Sequence, residues 1–177
     1  MLEKVFESID SNTTFDANIK EKIKGLVIIF NKFFPNISLE NFSERIKTLK
    51  IERQSKFVSK RIFNYNPMSN VLSFNALKLS EDYDSDHIMM SAILVIITSH
   101  DDTYGFDKEN KLIAFNTGYT EILSNFLVGN EKELTLYDEE VTATNLIAEV
   151  IGNDVLFEAY FTNNFDLVMN SIVKVSE

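Results

Sequence analysis

The stretch Ile88–Ile97 reads IMMSAILVII and is the least polar window of the 177-residue chain. A helix that is apolar on every face is buried on all sides, and this window is shorter than the roughly 20 residues that cross a membrane. A polar turn, Ser99–Gly105, and the segment NTGYTE at Asn116–Glu121 follow it. We therefore predict a buried central helix over Asp86–Thr98 and a second central helix over Phe115–Phe126. The β-branched residues near the end of the window leave a strand as the alternative.

Two helices and a small sheet are predicted ahead of the central helix. Apolar residues recur at helical spacing over Phe15–Phe34 and again, more briefly, over Ser38–Leu49. Between residues 47 and 79 the pattern changes to that of extended chain, and Val71–Leu79 alternates as VLSFNALKL. This region predicts two or three antiparallel strands. Residues 1–14 predict a short helix or a loosely held N-terminal arm.

The rest of the chain predicts further helices, which place the protein in the α+β class. Strands grouped in one part of a helical chain are typical of α+β folds. We therefore predict one domain, residues 1–177, in which a small antiparallel sheet packs on a mostly helical body with a buried central helix. A chain of this length can bury a sizeable core. The helices predicted after the central pair are Tyr137–Ile151, Val155–Phe161 and Phe165–Val175.

The net charge of −10 conceals an asymmetry between the two halves of the chain. Residues 1–79 carry a net charge of +5, whereas residues 80–177 carry −15. Basic side chains in one segment are either solvated residues facing the acidic half of the domain or a patch for an acidic partner. Nucleic acid is disfavoured as that partner, because the acidic half would repel phosphates. The basic side chains in question are Lys47, Lys50, Arg53, Lys56, Lys60 and Arg61.

Several features of the composition predict a cytoplasmic protein without a membrane partner. The chain has no cysteine, which excludes disulfides and permits an intracellular setting. The first residues, MLEKVFESIDSN, are amphipathic and lack the long apolar core of a signal peptide. No apolar run reaches the length of a membrane-spanning helix. The composition leaves the oligomeric state open.

The motifs around the central helix are similar, in their order, to those of a peptidase family. NTGYTE at Asn116–Glu121 is followed by YDEEV at Tyr137–Val141, by VIG at Val150–Gly152 and by AYFTNN at Ala159–Asn164. Together with the buried helix, they resemble zinc-dependent peptidases of the zincin kind, in particular gluzincins and small bacterial zincin-like proteins. The resemblance implies a small sheet, then a buried helix that carries H-E-x-x-H. It also implies a second helix that opens with N-E-G-x-T-E, whose first Glu is the third zinc ligand.

The resemblance implies a degenerate site that has lost its zinc ligands. Laying H-E-x-x-H on residues 92–96 puts Ala92 and Ile96 at the two histidines, Ile93 at the general-base glutamate and Thr117 at the third ligand. Zinc needs three N, O or S ligands from the protein, and the three apolar side chains offer none. We therefore expect no zinc or other cofactor, and no catalytic residues. The vestigial positions are Ala92, Ile93, Ile96, Asn116, Thr117 and Glu121.

Two functions of different classes are open at this point, with a bare structural scaffold as the third. The favoured one is a catalytically inactive peptidase-like protein that binds a protein or peptide in the old substrate cleft, against the sheet edge. The alternative is a hydrolase with a different metal site around His100, Asp101, Asp102 and Glu121. Otherwise the first three of these form a solvated turn, and Glu121 is a buried structural carboxylate bonded to the backbone or to Tyr160.

Overall fold

The structure is a computed structural model, and it describes residues 2–55, 61–76, 85–106, 112–129 and 137–176. Helices make up most of this part of the chain, and a three-stranded sheet completes the regular structure. The predicted α+β class is therefore confirmed. In chain order the elements are α1 (Leu2–Ser11), α2 (Ala17–Phe33), α3 (Glu40–Ile46), β1 (Lys50–Gln54), β2 (Phe63–Asn66), β3 (Val71–Asn75), α4 (Ser85–Ile97), α5 (Ile113–Val128), α6 (Asp138–Ile151), α7 (Asn153–Phe161) and α8 (Phe165–Ser176).

The sheet is mixed, so the prediction of an antiparallel sheet is wrong for one of its two pairings. The strand order is β1–β3–β2, in which β2 pairs antiparallel and β1 pairs parallel with β3. Each connection reverses the chain, so β1 and β3 run in the same direction, and placing β3 at the centre makes their pairing parallel. Residues 72–75 of β3 are all buried, although the alternation predicts one exposed face. The predicted strand residues 56–60 and 77–79 lie outside the described residues.

The first helix belongs to the core, so of the two alternatives predicted for the N-terminal residues the structure has the short helix and not the loosely held arm. Val5 and Ile9 lie one helical turn apart and are buried, and α1 packs against α2 and α3. The hydroxyls of Ser8 and Ser43 join α1 to α3 through a hydrogen bond of 2.7 Å. The amphipathic pattern of the segment thus provides an apolar face that the neighbouring helices cover.

Helix α4 lies at the centre of the domain, as the apolar window predicts. From His87 to Ile97 every side chain is buried except that of Met89, which is partly buried. The helix packs against α2, α3, α5 and β2. The last carbonyl groups of a buried helix need hydrogen-bond donors from elsewhere. Asn41 supplies them, because its side-chain amide donates to the carbonyls of Ile96 and Ile97.

Helices α5 and α6 approach each other closely at Gly118. A Cβ atom added to Gly118 would overlap the carbonyl oxygen of Glu140 and the hydroxyl of Thr144, both on α6. Thr144 donates its hydroxyl to that same carbonyl at 2.7 Å. The glycine of NTGYTE therefore lets the backbone of α6 lie directly on α5. This contact sets the orientation of the α5 face that carries Glu121.

The surface of the described residues bears on two further expectations. None of the helices in this part of the chain is long and apolar enough to cross a membrane. In the basic segment, Lys47, Lys50 and Arg53 are exposed, and Lys47 pairs at 2.9 Å with a glutamate one turn earlier. Lys56 and Lys60 lie outside the described residues.

Replacing Gly118 with alanine should lower stability, because the added methyl group forces α6 away from α5. We expect Gly118→Ala to cost about 1–3 kcal/mol of unfolding free energy, measured by urea denaturation. Gly25 provides the matched control, because an added Cβ there meets open space. The same change at Gly25 should raise stability by roughly 0.5–1 kcal/mol through helix propensity. Equal stabilities of the two variants would contradict the close approach.

Candidate functional site

A small cavity with a mixed polar and apolar lining lies where α4, α5 and β2 meet. Its volume is about 30 Å³, which is enough for one or two water molecules or a group of similar size. Helix α4 lines it with His87, Ile88, Ser91 and Val95, and α5 lines it with Thr117, Thr120 and Glu121. The remaining wall comes from residues 61–65, Tyr104 and Tyr137.

The side chains of His87 and Glu121 form a buried pair at the base of this cavity. His87 Nε2 lies 2.9 Å from Glu121 Oε2, and both residues are almost fully buried. A carboxylate only accepts hydrogen bonds, so Nε2 donates to Oε2. Ser124, one turn further along α5, donates its hydroxyl to the backbone carbonyl of His87 at 2.8 Å. These contacts fasten the first turn of α4 to the middle of α5.

Two polar atoms beside the cavity have no hydrogen-bond partner among the described residues. They are Glu121 Oε1 and Ser91 Oγ, and both residues are more than nine-tenths buried. A buried polar atom without a partner costs free energy, so both atoms gain from any small polar group that enters the cavity. Ser91 lies four residues after His87, one helical turn further along the same face of α4.

Two tyrosines and an arginine line the side of the cavity towards the surface. Tyr137 accepts a hydrogen bond from the backbone N–H of Ile62 at 3.0 Å. Burial raises the pKa of Tyr137 to about 12, so its hydroxyl keeps its proton at neutral pH. Arg61 donates to the hydroxyl of Tyr104 at 3.3 Å. Arg61 and Tyr104 also line a shallower cleft of about 280 Å³ next to the cavity.

The structure brings only part of the predicted vestigial site together. Thr117 and Glu121 line the cavity, but Ala92, Ile93 and Ile96 do not, and all three belong to the apolar core. The residues of α4 that line the cavity beside α5 are instead His87 and Ser91. They lie five positions before Ala92 and Ile96, respectively. The hydroxyl of Thr117 donates its proton to the backbone carbonyl of Ile113, four residues earlier in α5, at 2.8 Å. Towards the cavity, Thr117 Oγ1 can therefore only accept a hydrogen bond.

Asn116 has a structural role in ordering the loop between α4 and α5. Its side-chain oxygen accepts a hydrogen bond from the N–H of Phe106 at 2.8 Å, and its amide donates to the carbonyl of Tyr104 at 2.9 Å. Asn163, from the segment AYFTNN, holds the same loop by donating to the carbonyls of Thr98 and Gly105. Two asparagines of the motifs thus position Tyr104 beside the cavity.

The residues of the alternative metal site are not brought together with Glu121. The side chain of His100 is 67% exposed, and its Nε2 lies 3.7 Å from the carboxylate of Asp101. Its backbone pairs with that of Thr103 in a turn, and Asp102 is also exposed. Glu121 lies instead in the buried pair with His87. Within the described ranges, no group of three His, Asp or Glu side chains is arranged to hold a metal ion.

Glu121 is buried, as expected of a structural carboxylate, but its side chain bonds to His87 and not to the backbone or to Tyr160. The hydroxyl of Tyr160 bonds to Thr120 Oγ1 at 2.6 Å, in the fully buried centre of the domain. The ring of Tyr160 lies edge-on to those of Phe106 and Tyr119. The hydroxyl of Thr120 therefore closes an aromatic cluster, while the carboxylate of the next residue, Glu121, faces His87.

Among the described residues, no base is hydrogen-bonded to Ser91 at this cavity. Activation of a serine needs a base within hydrogen-bond reach, and Ser91 Oγ has no such bond to His87. Ile88, which follows His87 and lines the same cavity, has no group that transfers protons. What the cavity offers is a carboxylate oxygen and hydroxyl groups as hydrogen-bond partners.

The pair that carries this site was not evident from sequence spacing, because His87 and Glu121 are 34 residues apart on different helices. The signal that could have found it is the repeat of His87 and Ser91 at positions i and i+4 on α4. That repeat puts two polar side chains on one face of an otherwise apolar helix.

Comparisons with known proteins leave the family of this chain open. No family model matches the chain, no curated protein matches it, and no solved structure matches it.

A double-mutant cycle should show that His87 and Glu121 act as a unit. Removing one member of a buried pair leaves the other unpaired, so we expect His87→Leu and Glu121→Leu each to cost about 3 kcal/mol in unfolding free energy. The double variant should cost at least about 1 kcal/mol less than the sum, as measured by urea denaturation. His100→Leu, at an exposed position, is the control and should change stability by no more than about 0.5 kcal/mol. Strictly additive costs would contradict the pairing.

Proposed function

We propose that this chain is a catalytically inactive, peptidase-like protein that works by binding an extended segment of another polypeptide. The observation that carries the proposal is the outer edge of β2, which pairs with no other strand in the described part of the chain and runs beside the cavity and the adjoining cleft. β2 is an outer strand of the sheet, and Phe63, Asn64 and Tyr65 line the cavity. An extended peptide can add to such an edge through main-chain hydrogen bonds.

The hydrogen-bond pattern of β2 leaves two residues able to pair with a peptide. The carbonyl of Ile62 accepts the N–H of Asn75 at 2.8 Å, so Ile62 faces β3. Successive residues of an antiparallel strand alternate in this respect. Phe63 and Tyr65 therefore direct their backbone groups away from β3. A peptide paired with them would lie across the cleft.

The cleft beside β2 offers contacts for side chains of such a peptide. Met68 and Ile113 are strongly exposed for apolar residues, at 81% and 44%, and both line it. Arg61 and Asp102 contribute one charge of each sign. The cleft therefore combines apolar surface with two charged groups, as small peptide-binding sites do.

The resemblance to gluzincins shows which positions would need zinc ligands and a general base, and the residues at most of these positions cannot fill those roles. The face of α4 that meets α5 favours laying H-E-x-x-H on His87–Ser91, with Ile88 at the general-base position. Thr117 stays at the third-ligand position, now 26 residues after the second histidine position instead of the roughly twenty typical of the family. One ligand of three remains under this placement. The carboxylate of Glu121 bonds to that histidine, as carboxylates commonly do to metal-binding histidines.

Selection from a random 12-residue peptide library, followed by a change at the β2 edge, tests the binding mode. Phe63→Pro removes an N–H that faces away from β3, so it should weaken binding of selected peptides by about tenfold or more. Arg53→Pro is the matched control on the opposite edge, where the alternation also points the N–H away from β3. It should leave the dissociation constant within about twofold. Equal losses at the two edges would argue against β2 as the binding edge.

Methylation of the selected peptide checks the same contact without changing the protein. An added strand uses the N–H groups of every second residue. N-methylation should therefore weaken binding at alternating peptide positions, as measured by isothermal titration calorimetry. A loss that is uniform along the peptide, or confined to one end, would exclude an added strand.

Metal analysis separates this proposal from the hydrolase alternative. In protein purified without chelator we expect far less than one zinc ion per chain, because His87 lacks two companion ligands. We also expect no cleavage of the selected peptides on overnight incubation with added zinc. Stoichiometric zinc that is lost in His100→Ala would establish the alternative site instead. The zinc content of His87→Ala is measured in parallel, to test the cavity in the same way.

A further inference from the structure

Glu121 and Ser91 line the cavity, and their side-chain oxygens Oε1 and Oγ are buried without a hydrogen-bond partner among the described residues. The other carboxylate oxygen of Glu121 is occupied by His87, and Ser91 makes no hydrogen bond. The two atoms line one cavity but do not bond to each other. A small donor group that bonds to both would remove the cost of leaving them without partners.

The size of the cavity restricts that group to about the size of a water molecule. A volume of about 30 Å³ holds one or two waters. An ammonium group is a compact point charge with three N–H donors, whereas the guanidinium group of arginine is a larger planar fork. The cavity therefore suits a compact ammonium group better than the larger guanidinium fork.

The chemistry of the unpartnered oxygens favours a hydrogen-bond donor that carries positive charge. Glu121 Oε1 only accepts hydrogen bonds, and Thr117 Oγ1 also presents lone pairs because its proton goes to its own helix. Hydrogen bonds from a charged donor to a carboxylate are roughly twice as strong as neutral ones. The guanidinium group of Arg61 donates to the hydroxyl of Tyr104, and both residues lie between the cavity and the neighbouring cleft. A chain with a net charge of −10 also attracts cationic partners.

We propose that this cavity binds a primary ammonium group, which donates hydrogen bonds to Glu121 Oε1, Ser91 Oγ and Thr117 Oγ1. The inference rests on the proposed function in that the bound polypeptide supplies the group. Its source is then a lysine side chain or the α-amine at the start of the chain. In the free protein a water molecule can bridge the same atoms.

A small probe tests the ligand chemistry without any peptide. Butylammonium chloride is titrated into the ¹⁵N-labelled full chain, and the shifts of backbone amides are followed by NMR. We expect saturable shifts at His87, Ser91 and Glu121. Tetramethylammonium chloride is the control, because it carries the same charge without an N–H donor. Butylguanidinium tests the size limit, and neither of these two cations should cause saturable shifts there.

Two variants assign the effect to the proposed atoms. Glu121→Gln keeps the size of the side chain and a hydrogen-bond acceptor for His87 but loses the charge, and it should weaken butylammonium binding by about tenfold. Ser91→Ala removes one acceptor and should weaken it by a few fold. Glu149→Gln, at an exposed position on α6, is the charge-matched control and should have no effect. Thermal melts confirm that each variant is folded.

Two pentapeptides distinguish the sources of the ammonium group. One has an acetylated N-terminus and an internal lysine, and the other has a free N-terminus and no lysine. The peptide that displaces butylammonium from the cavity identifies the source of the ammonium group, and displacement by either peptide supports the inference. Displacement by neither peptide would contradict it.

The failure of this inference differs from the failure of the proposed function. Selected peptides that bind along β2 equally well with lysine, acetyl-lysine or a blocked N-terminus would overturn the ammonium site and leave the peptide cleft standing. Saturable binding of butylammonium without any peptide binding would support the ammonium site and contradict the peptide cleft. Equal shifts with butylammonium and tetramethylammonium, or no weakening in Glu121→Gln, would also overturn the ammonium site.

Discussion

The hydrogen bond between His87 and Glu121 is the contact on which the rest of the site depends. It joins the beginning of the buried helix α4 to the middle of α5, and both side chains are almost fully buried. Ionisable groups are rarely buried unless they are paired, so this contact constrains both helices. It also decides which oxygen of Glu121 is bonded and which one has no hydrogen-bond partner among the described residues.

Local patterns in the sequence predicted the elements around this contact well. The apolar window predicted α4 as a buried helix, and helical spacing predicted α5, α6, α7 and α8 to within a few residues. Such patterns depend only on neighbouring residues, which the sequence displays directly. The parallel pairing of β1 with β3 was missed because strand order depends on contacts that are distant in sequence. Burial of Val5 and Ile9 was missed for the same reason, since their covering helices follow later in the chain.

The candidate site itself was predicted only in part. Thr117 and Glu121 were identified through NTGYTE, and both line the cavity. The partner of Glu121 was missed because the H-E-x-x-H pattern was laid on Ala92–Ile96 from its spacing to NTGYTE and not from the face of α4 that meets α5. A helix with one polar residue per turn on a single face carries that information. His87 and Ser91 are such residues, and they point the buried face of α4 towards α5.

Asparagines and glycine of the shared motifs have structural roles that do not require any catalytic activity. Asn116 and Asn163 hold the loop after α4, and Gly118 lets α6 lie against α5. These contacts give the three residues a role in the fold that does not depend on a metal site.

The central claim is that this site binds a polar group through Glu121 and Ser91 and not a metal ion. A crystal structure of the full chain, with anomalous diffraction collected at the zinc edge, tests it most directly. The account predicts His87 Nε2 on Glu121 Oε2, together with water-like density between Glu121 Oε1 and Ser91 Oγ and no anomalous signal. An anomalous peak in the cavity, with His87 turned from Glu121 towards it, would contradict the account.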